Sequence, residues 1–289
     1  MPSSPPSSPP SSPASLPASL PASLPASRFW ADWTSPDFAS LDPAHAVAVL
    51  PVAATEQHGP HLPLRVDQAL ADGIVQACLP QLPRELQALF LPTQAVGYSP
   101  EHVAFPGTLT LSFETVTRSW IELGDCVARA GLRKLLIFNS HGGQTSLLDV
   151  VARELRTRCG LIVYGASWFN LPLGDAIAAF SAHEQRFGVH AGEVETSMML
   201  ALHPALVHMD RAQRFASSSE PRAQRHAVLG DGRSAKLGWA MQDINAHGAA
   251  GDAASATAAK GQALVDAAGA ALARLLQELS ALPLDTLRR

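Results

Sequence analysis

Short apolar runs alternate with longer amphipathic segments along most of this chain. The run His45–Ala53 (HAVAVLPVA) is too short for a core helix and reads as a strand. A polar turn, TEQHGPHLPLRVD, follows it. Asp67 then precedes the periodic segment QALADGIVQACL, in the place of a helix N-cap. Ala88–Gln94 reads as a second strand and Ser112–Ala130 as an amphipathic helix. Lys134–Asn139 (KLLIFN) predicts a buried strand, Ser146–Arg158 a helix and Leu161–Ala166 another strand. Gly192–His203 (GEVETSMMLALH) predicts a helix, residues 210–253 loops, and Ala254–Leu279 an Ala-rich helix packed on the outside. Strand and helix in alternation predict an α/β fold: a three-layer α/β/α sandwich with a mostly parallel central sheet. Ligands of such sheets bind at loops after the carboxyl ends of strands. Two polar clusters fall there, one after Ala53 and one after Asn139.

Residues 1–27 contain only Met, Pro, Ser, Ala and Leu, and have no periodic apolar face. They read as a disordered tail ahead of one folded domain, 28–289. With 47% hydrophobic and 16% charged residues, the chain has a globular composition. Its net charge of −4, with no run of five basic residues, argues against a nucleic-acid partner. Cys78, Cys126 and Cys159 are scattered and odd in number, so they read as buried thiols, neither a disulfide framework nor a zinc site. No apolar run reaches the ~20 residues needed to span a bilayer. No basic residue precedes Arg28, so a secretory signal is not expected either. These features together predict a cytoplasmic enzyme with a small substrate and no membrane partner.

Three clusters carry chemistry. Glu56 to Asp67 (EQHGPHLPLRVD) places Glu56, His58, His61 and Asp67 in one loop held by Gly59 and two prolines. Glu56 and His58, two apart, point the same way in extended backbone. Mixed oxygen and nitrogen donors suit zinc, manganese or iron. His61 reads as a supporting group or an exposed one. Asn139 to Gln144 (NSHGGQ) puts His141 at a strand end, and its two glycines leave room for a ligand. It lacks the G-x-G-x-x-G and P-loop patterns, and Ser140 lacks a nucleophile elbow. His190 to Ser197 (HAGEVETS) adds a His and two carboxylates. On a regular helix Glu193 and Glu195 sit about 200° apart, so one is a ligand and the other an orienting or proton-transfer group. With Glu195 as the ligand, Glu56, Asp67 and Glu195 plus a bridging hydroxide balance two divalent ions. That limits the desolvation cost of a buried dinuclear site.

The strings PVAATEQHGPHLPLRVD, EHVAFPGTLTLS, NSHGGQ, HAGEVETSMMLALHP and HGAAGDAASATAAKGQAL together resemble the creatininase family. They cover most of residues 45–265. The resemblance implies an α/β fold, a homo-oligomer (commonly a hexamer) and two metal ions bridged by an Asp. Position by position, Glu56 and His141 would bind one metal, His58 and Glu195 the other, and Asp67 would bridge them. His190 matches the family's proton-transferring His. The chain also departs from the pattern. Members acting on creatinine carry a Glu two residues after the metal His, where this chain has Gly143. They carry a Trp shortly before the proton-transferring His, where this chain has Arg186, Phe187, Gly188 and Val189. Trp168 stands where their other pocket Trp is expected, and Glu193 offers a replacement for the missing acid.

These departures point away from creatinine. Members with the HAGE form act on other amides, including formamides and peptide bonds in cofactor biosynthesis. The expectation is therefore an amidohydrolase that uses two divalent ions, zinc foremost with manganese or iron as alternatives. It would cleave a C–N bond other than a peptide bond in a small amide. His190 would donate a proton to the departing nitrogen, and Phe105, Pro106, Gly107, Gly143 and Trp168 would line the pocket. The rival readings are an isomerase or carbon–carbon hydrolase on the same scaffold, and a catalytically silent scaffold protein.

Overall fold

The computed structural model describes residues 26–288, so nearly all of the predicted tail lies outside the described residues. Arg28 is already tied to the fold: its guanidinium donates to the carbonyls of Leu86 and Pro83. The central sheet contains β1 (Val47–Val52), β2 (Ala88–Phe90), β3 (Lys134–Asn139) and β4 (Ile162–Ser167), in the order β2-β1-β3-β4 and all parallel. β2 stops short of the predicted Gln94. Pro92 has no N–H to extend the ladder, and Gln94 only bridges Val52 in isolation.

Period-two alternation sends successive strand residues to opposite faces. Val47, Val49, Leu136 and Phe138 face α1 (Val66–Cys78). Ala48, Leu50, Val52, Leu135 and Ile137 face α2 (Phe113–Arg129) and α3 (Thr145–Cys159). This is the expected three-layer sandwich. Asp67 does not cap α1. Arg65 holds that position, and Asp67 lies buried in the first turn, its carboxylate turned toward histidines. α2 is capped by Ser112, whose hydroxyl accepts the Thr115 N–H at 3.3 Å.

Beyond β4 come the short helices α4 (Asp175–Ala178) and α5 (Ala182–Phe187), then α6 (Glu193–Leu202). The stretch expected to be loops holds β5 (Arg214–Phe215), α7 (Ser219–Arg225), α8 (Met241–Ile244) and β6 (Gly251–Asp252), with β5 and β6 antiparallel. The last helix, α9 (Ala258–Ala281), is a correction: expected on the outside, it buries Leu264, Val265, Ala268, Leu272 and Leu276 in the larger core. Its glycines bring backbones close. A Cβ on Gly261 would lie 1.8 Å from the Ser197 carbonyl oxygen of α6, and one on Gly269 2.7 Å from Ala77 of α1. Cys78 is buried as expected, but Cys126 is exposed. Among the described residues no helix is long and apolar enough to cross a membrane.

β1 lies between β2 and β3, and the chain leaves β1 and β3 in opposite directions, toward α1 on one face and α3 on the other. The crevice at their carboxyl ends is a topological switch point, where such sheets hold ligands. Val52 and Asn139 pair at the last register position. The loops carrying Glu56, His58 and His141 therefore start side by side.

Candidate metal centre

Glu56, His58, Asp67 and His141 converge in that crevice and are all buried, and α6 adds Glu195. The two carboxylate oxygens of Asp67 face different histidines. Oδ1 is 3.7 Å from His58 Nε2, and Oδ2 is 3.4 Å from His141 Nδ1. His141 Nδ1 is also 3.2 Å from Glu56 Oε1, while His58 Nε2 is 3.9 Å from Glu195 Oε2. His58 donates its Nδ1–H to the Glu56 carbonyl at 3.0 Å, which leaves the Nε2 lone pair for the centre. Glu56 Oε2, His58 Nε2 and Asp67 Oδ2 are buried without a hydrogen-bond partner. Native interiors rarely leave three such atoms together unless an ion satisfies them. The residues present therefore fit divalent cations.

The electrostatics agree. Burial would lower the His58 pKa, but the carboxylates of Asp67, 3.7 Å away, then Glu195 and Glu56 raise it to about 9 in the protein alone. Burial pushes the Asp67 carboxyl up, but the imidazoles of His141 and His58 beside it outweigh burial and hold the pKa at about 2. Glu195 rises to about 7, through burial and despite His58. Protons partly neutralise this crowd of charge, and a metal ion would displace them.

His190 stands beside this set. Its ring is 4.2 Å from that of His58 and 4.3 Å from that of His102. It donates Nε2–H to the Gln57 carbonyl at 2.8 Å, so Nδ1 carries the lone pair, 3.8 Å from Glu56 Oε1. Burial first, then the charges of His58 and His102, hold its pKa well below the ordinary histidine value. A neutral imidazole with a lone pair facing the centre can take up a proton and release it again. The backbone before α6 is constrained: Ala191 is a non-glycine residue in the left-handed region (φ 51°). Its N–H donates to Glu195 Oε2 at 2.6 Å, which turns that carboxylate inward.

Other expected residues lie elsewhere. Glu193 is not brought to the cluster; its carboxylate pairs with Lys260 of α9. Trp168 sits in the larger core, 3% exposed. His61 is buried outside the set, with Nε2 2.9 Å from Thr196 Oγ1 and its ring stacked on Phe215. Phe105 is half-buried with Trp239 against Met241, Ile244 and Ala250, and lies beside Gly248 near Gln57. Pro106 and Gly107 are exposed, the latter at φ 95° over Leu64. Gly143 is exposed at the mouth.

Sequence reasoning missed two site residues, Glu101 and His102. Gln57 donates its amide N–H to His102 Nδ1 at 2.7 Å, and His102 Nε2–H is 3.3 Å from Glu56 Oε1, fixing that carboxylate. Glu101 Oε1 is 3.3 Å from His141 Nε2. Burial raises the Glu101 pKa, but the hydrogen bond and charge of His141 outweigh it, for a net lowering. An adjacent Glu-His pair in EHVAFPGT was the available signal.

The family model for creatininase (creatinine amidohydrolase) matches residues 31–276 of this chain. The chain belongs to the creatininase family. Among proteins similar to this creatininase-family chain is the mycofactocin precursor peptide peptidase of Mycobacterium tuberculosis H37Rv. It is 31% identical over 237 residues, covering 79% of this chain and 82% of that one. The creatinine amidohydrolase of Pseudomonas putida is 32% identical over 180 residues, covering 57% and 67%. A mutant creatininase of Zn-Zn type superposes with a TM-score of 0.70 at 25% identity, covering 89% of this chain and all of that one. These relatives of the creatininase-family chain are hydrolases.

Proposed function

We propose that the protein is a metal-dependent amidohydrolase that cleaves a C–N bond, in an amide, cyclic amide or formamide of a small molecule, with two divalent ions. The observation that carries this reading is Asp67, whose two oxygens face His58 and His141 separately amid buried donors without partners. Glu56 and His141 would hold one ion, His58 and Glu195 the other, with Asp67 shared. When bound, such ions would supply water activation and polarisation of a carbonyl. The remaining steps belong to the chain. Gln57 holds the His190 tautomer through its carbonyl, leaving Nδ1 to receive a proton and pass it to the departing nitrogen. His102 keeps Glu56 in place. The open Gly143 flanks the approach, and a small amide would enter where Glu195 and Glu101 remain 18% and 11% exposed. The mycobacterial relative, named for a peptide substrate, extends the candidates to short peptides. Zinc comes first among the ions, with manganese or iron next, and the active form would be a cytoplasmic homo-oligomer.

Elemental analysis of protein purified without chelator tests this reading. About two zinc, manganese or iron ions per chain are expected, followed by turnover in a screen of amides, formamides and short peptides. No ion after reconstitution, or a loaded protein that cleaves none of these, would refute it.

A further inference from the structure

His141 Nδ1 faces Glu56 and Asp67, so its Nε2–H points away from the donor set. Three acceptors surround that N–H: the Tyr98 carbonyl at 3.1 Å, Ser99 Oγ at 3.3 Å and Glu101 Oε1 at 3.3 Å. Only Glu101 is charged. Its side chain is 11% exposed, and among the described residues its one ion-pair contact is His141. A largely buried carboxylate with no Lys or Arg beside it is costly unless it has a specific partner.

Gly143 supplies the second observation. A Cβ built there would lie 1.7 Å from Glu101 Oε1 and 2.6 Å from His141 Nε2. Gly143 is not among the positive-φ glycines, so its backbone conformation does not demand glycine. The volume does, because a carboxylate from another segment occupies it.

We propose that Glu101 is a positioning carboxylate for His141 and that Gly143 keeps its place open. Glu101 accepts the Nε2–H, holds the ring with its Nδ1 lone pair toward Glu56 and Asp67, and strengthens that nitrogen as a donor. This inference rests on the metal-centre reading and deepens it. Tyr98 and Ser99 also orient the ring, but being neutral they add no charge. Glu101→Gln therefore isolates the charge, with the shape kept. Outer carboxylates of this kind are worth about 10–100-fold in metal affinity.

The experiment is a chelator-competition titration with zinc, paired with the visible absorption spectrum of the cobalt(II)-loaded protein. Circular dichroism checks that each variant is folded. The expected result is that Glu101→Gln binds one ion about 10–100-fold more weakly and shifts the cobalt band, both effects exceeding those of Ser99→Ala, which removes only a neutral orienting contact. Gly143→Ala, which displaces the Glu101 carboxylate, should reproduce both effects. Wild-type affinity in Glu101→Gln or in Gly143→Ala overturns the proposal. Complete loss of one ion in Glu101→Gln also overturns it, because Glu101 would then be a direct ligand. Wild-type protein that binds neither zinc nor cobalt removes the metal centre itself, and this proposal with it.

Discussion

Replacing Gly261 by alanine tests how the packing of α9 sets the metal centre from a distance. The added Cβ would lie 1.8 Å from the Ser197 carbonyl oxygen, 2.2 Å from its carbon and 2.7 Å from the Met198 nitrogen. These are backbone atoms of α6 and cannot swing aside, so the helices must part by roughly 1.5–2 Å to restore ordinary contact. That movement also strains the hydrogen bond from the Thr257 N–H to Ser197 Oγ, which is 3.1 Å long and knits the start of α9 to α6. Overpacking costs about 1–3 kcal/mol, and the strained hydrogen bond about 1 kcal/mol. The helix propensity of alanine returns about 1 kcal/mol. The expected net loss is about 1–3 kcal/mol, toward the upper end because the obstacle is backbone. In urea unfolding of the metal-free protein, this lowers the midpoint by about 0.5–1 M for a slope near 3 kcal/mol per M. Glu195 lies two residues before Ser197 in the same helix, so metal affinity should fall as well. Gly124→Ala in α2 is the control, since its new Cβ would meet only the movable end of Leu155. Wild-type stability and metal content in Gly261→Ala would refute the argument.

Further outcomes follow from the same geometry. Asp67→Ala should lose bound metal in elemental analysis and lose activity with it, and retention of both ions would refute the shared-ligand role. His190→Ala should keep its metal and lose about 10²–10⁴-fold in kcat; an unchanged kcat assigns proton transfer elsewhere. Because His58 carries a proton up to about 9 in the protein alone, an ion must displace it. Metal affinity should therefore rise with pH through neutrality and level off above about 9. Calorimetry in buffers of different ionisation enthalpy would show the released proton, and a pH-independent affinity would contradict this. Glu193→Gln should keep metal and kcat but lose about 1–2 kcal/mol of stability by stranding Lys260; lost turnover with intact stability would return Glu193 to the chemistry.

The sandwich and the main donors were legible in the sequence because each rests on local pattern. KLLIFN ends two residues before His141, and the loop after β1 carries Glu56 and His58 and runs on to Asp67 in the first turn of α1. What was not legible depends on long-range partners. Spacing alone could not separate Glu193 from Glu195, since both fall in the first turn of α6. Lys260 from α9 takes one, and the Ala191 N–H turns back the other. Trp168 has a pocket residue's place in the chain, but the packing of β4 and the following turn buries it. Glu101 and His102 gain their roles only when a short 3-10 turn lays them across His141 and Glu56. The N-cap expectation for Asp67 failed by a short step along the helix, and that step turns the carboxylate from backbone amides to histidines.

The donors reach the crevice from three separate stretches of chain, between residue 56 and residue 195. No such set exists in an unfolded chain, so each ion bound counts toward folding by mass action, with about 4 kcal/mol gained at a free-ion level a thousand times the dissociation constant. With the proposed ions, the supply of metal would govern how long the polypeptide survives proteases as well as how fast it turns over substrate. A cell short of the ion would hold less of the protein, not merely an idle stock of it.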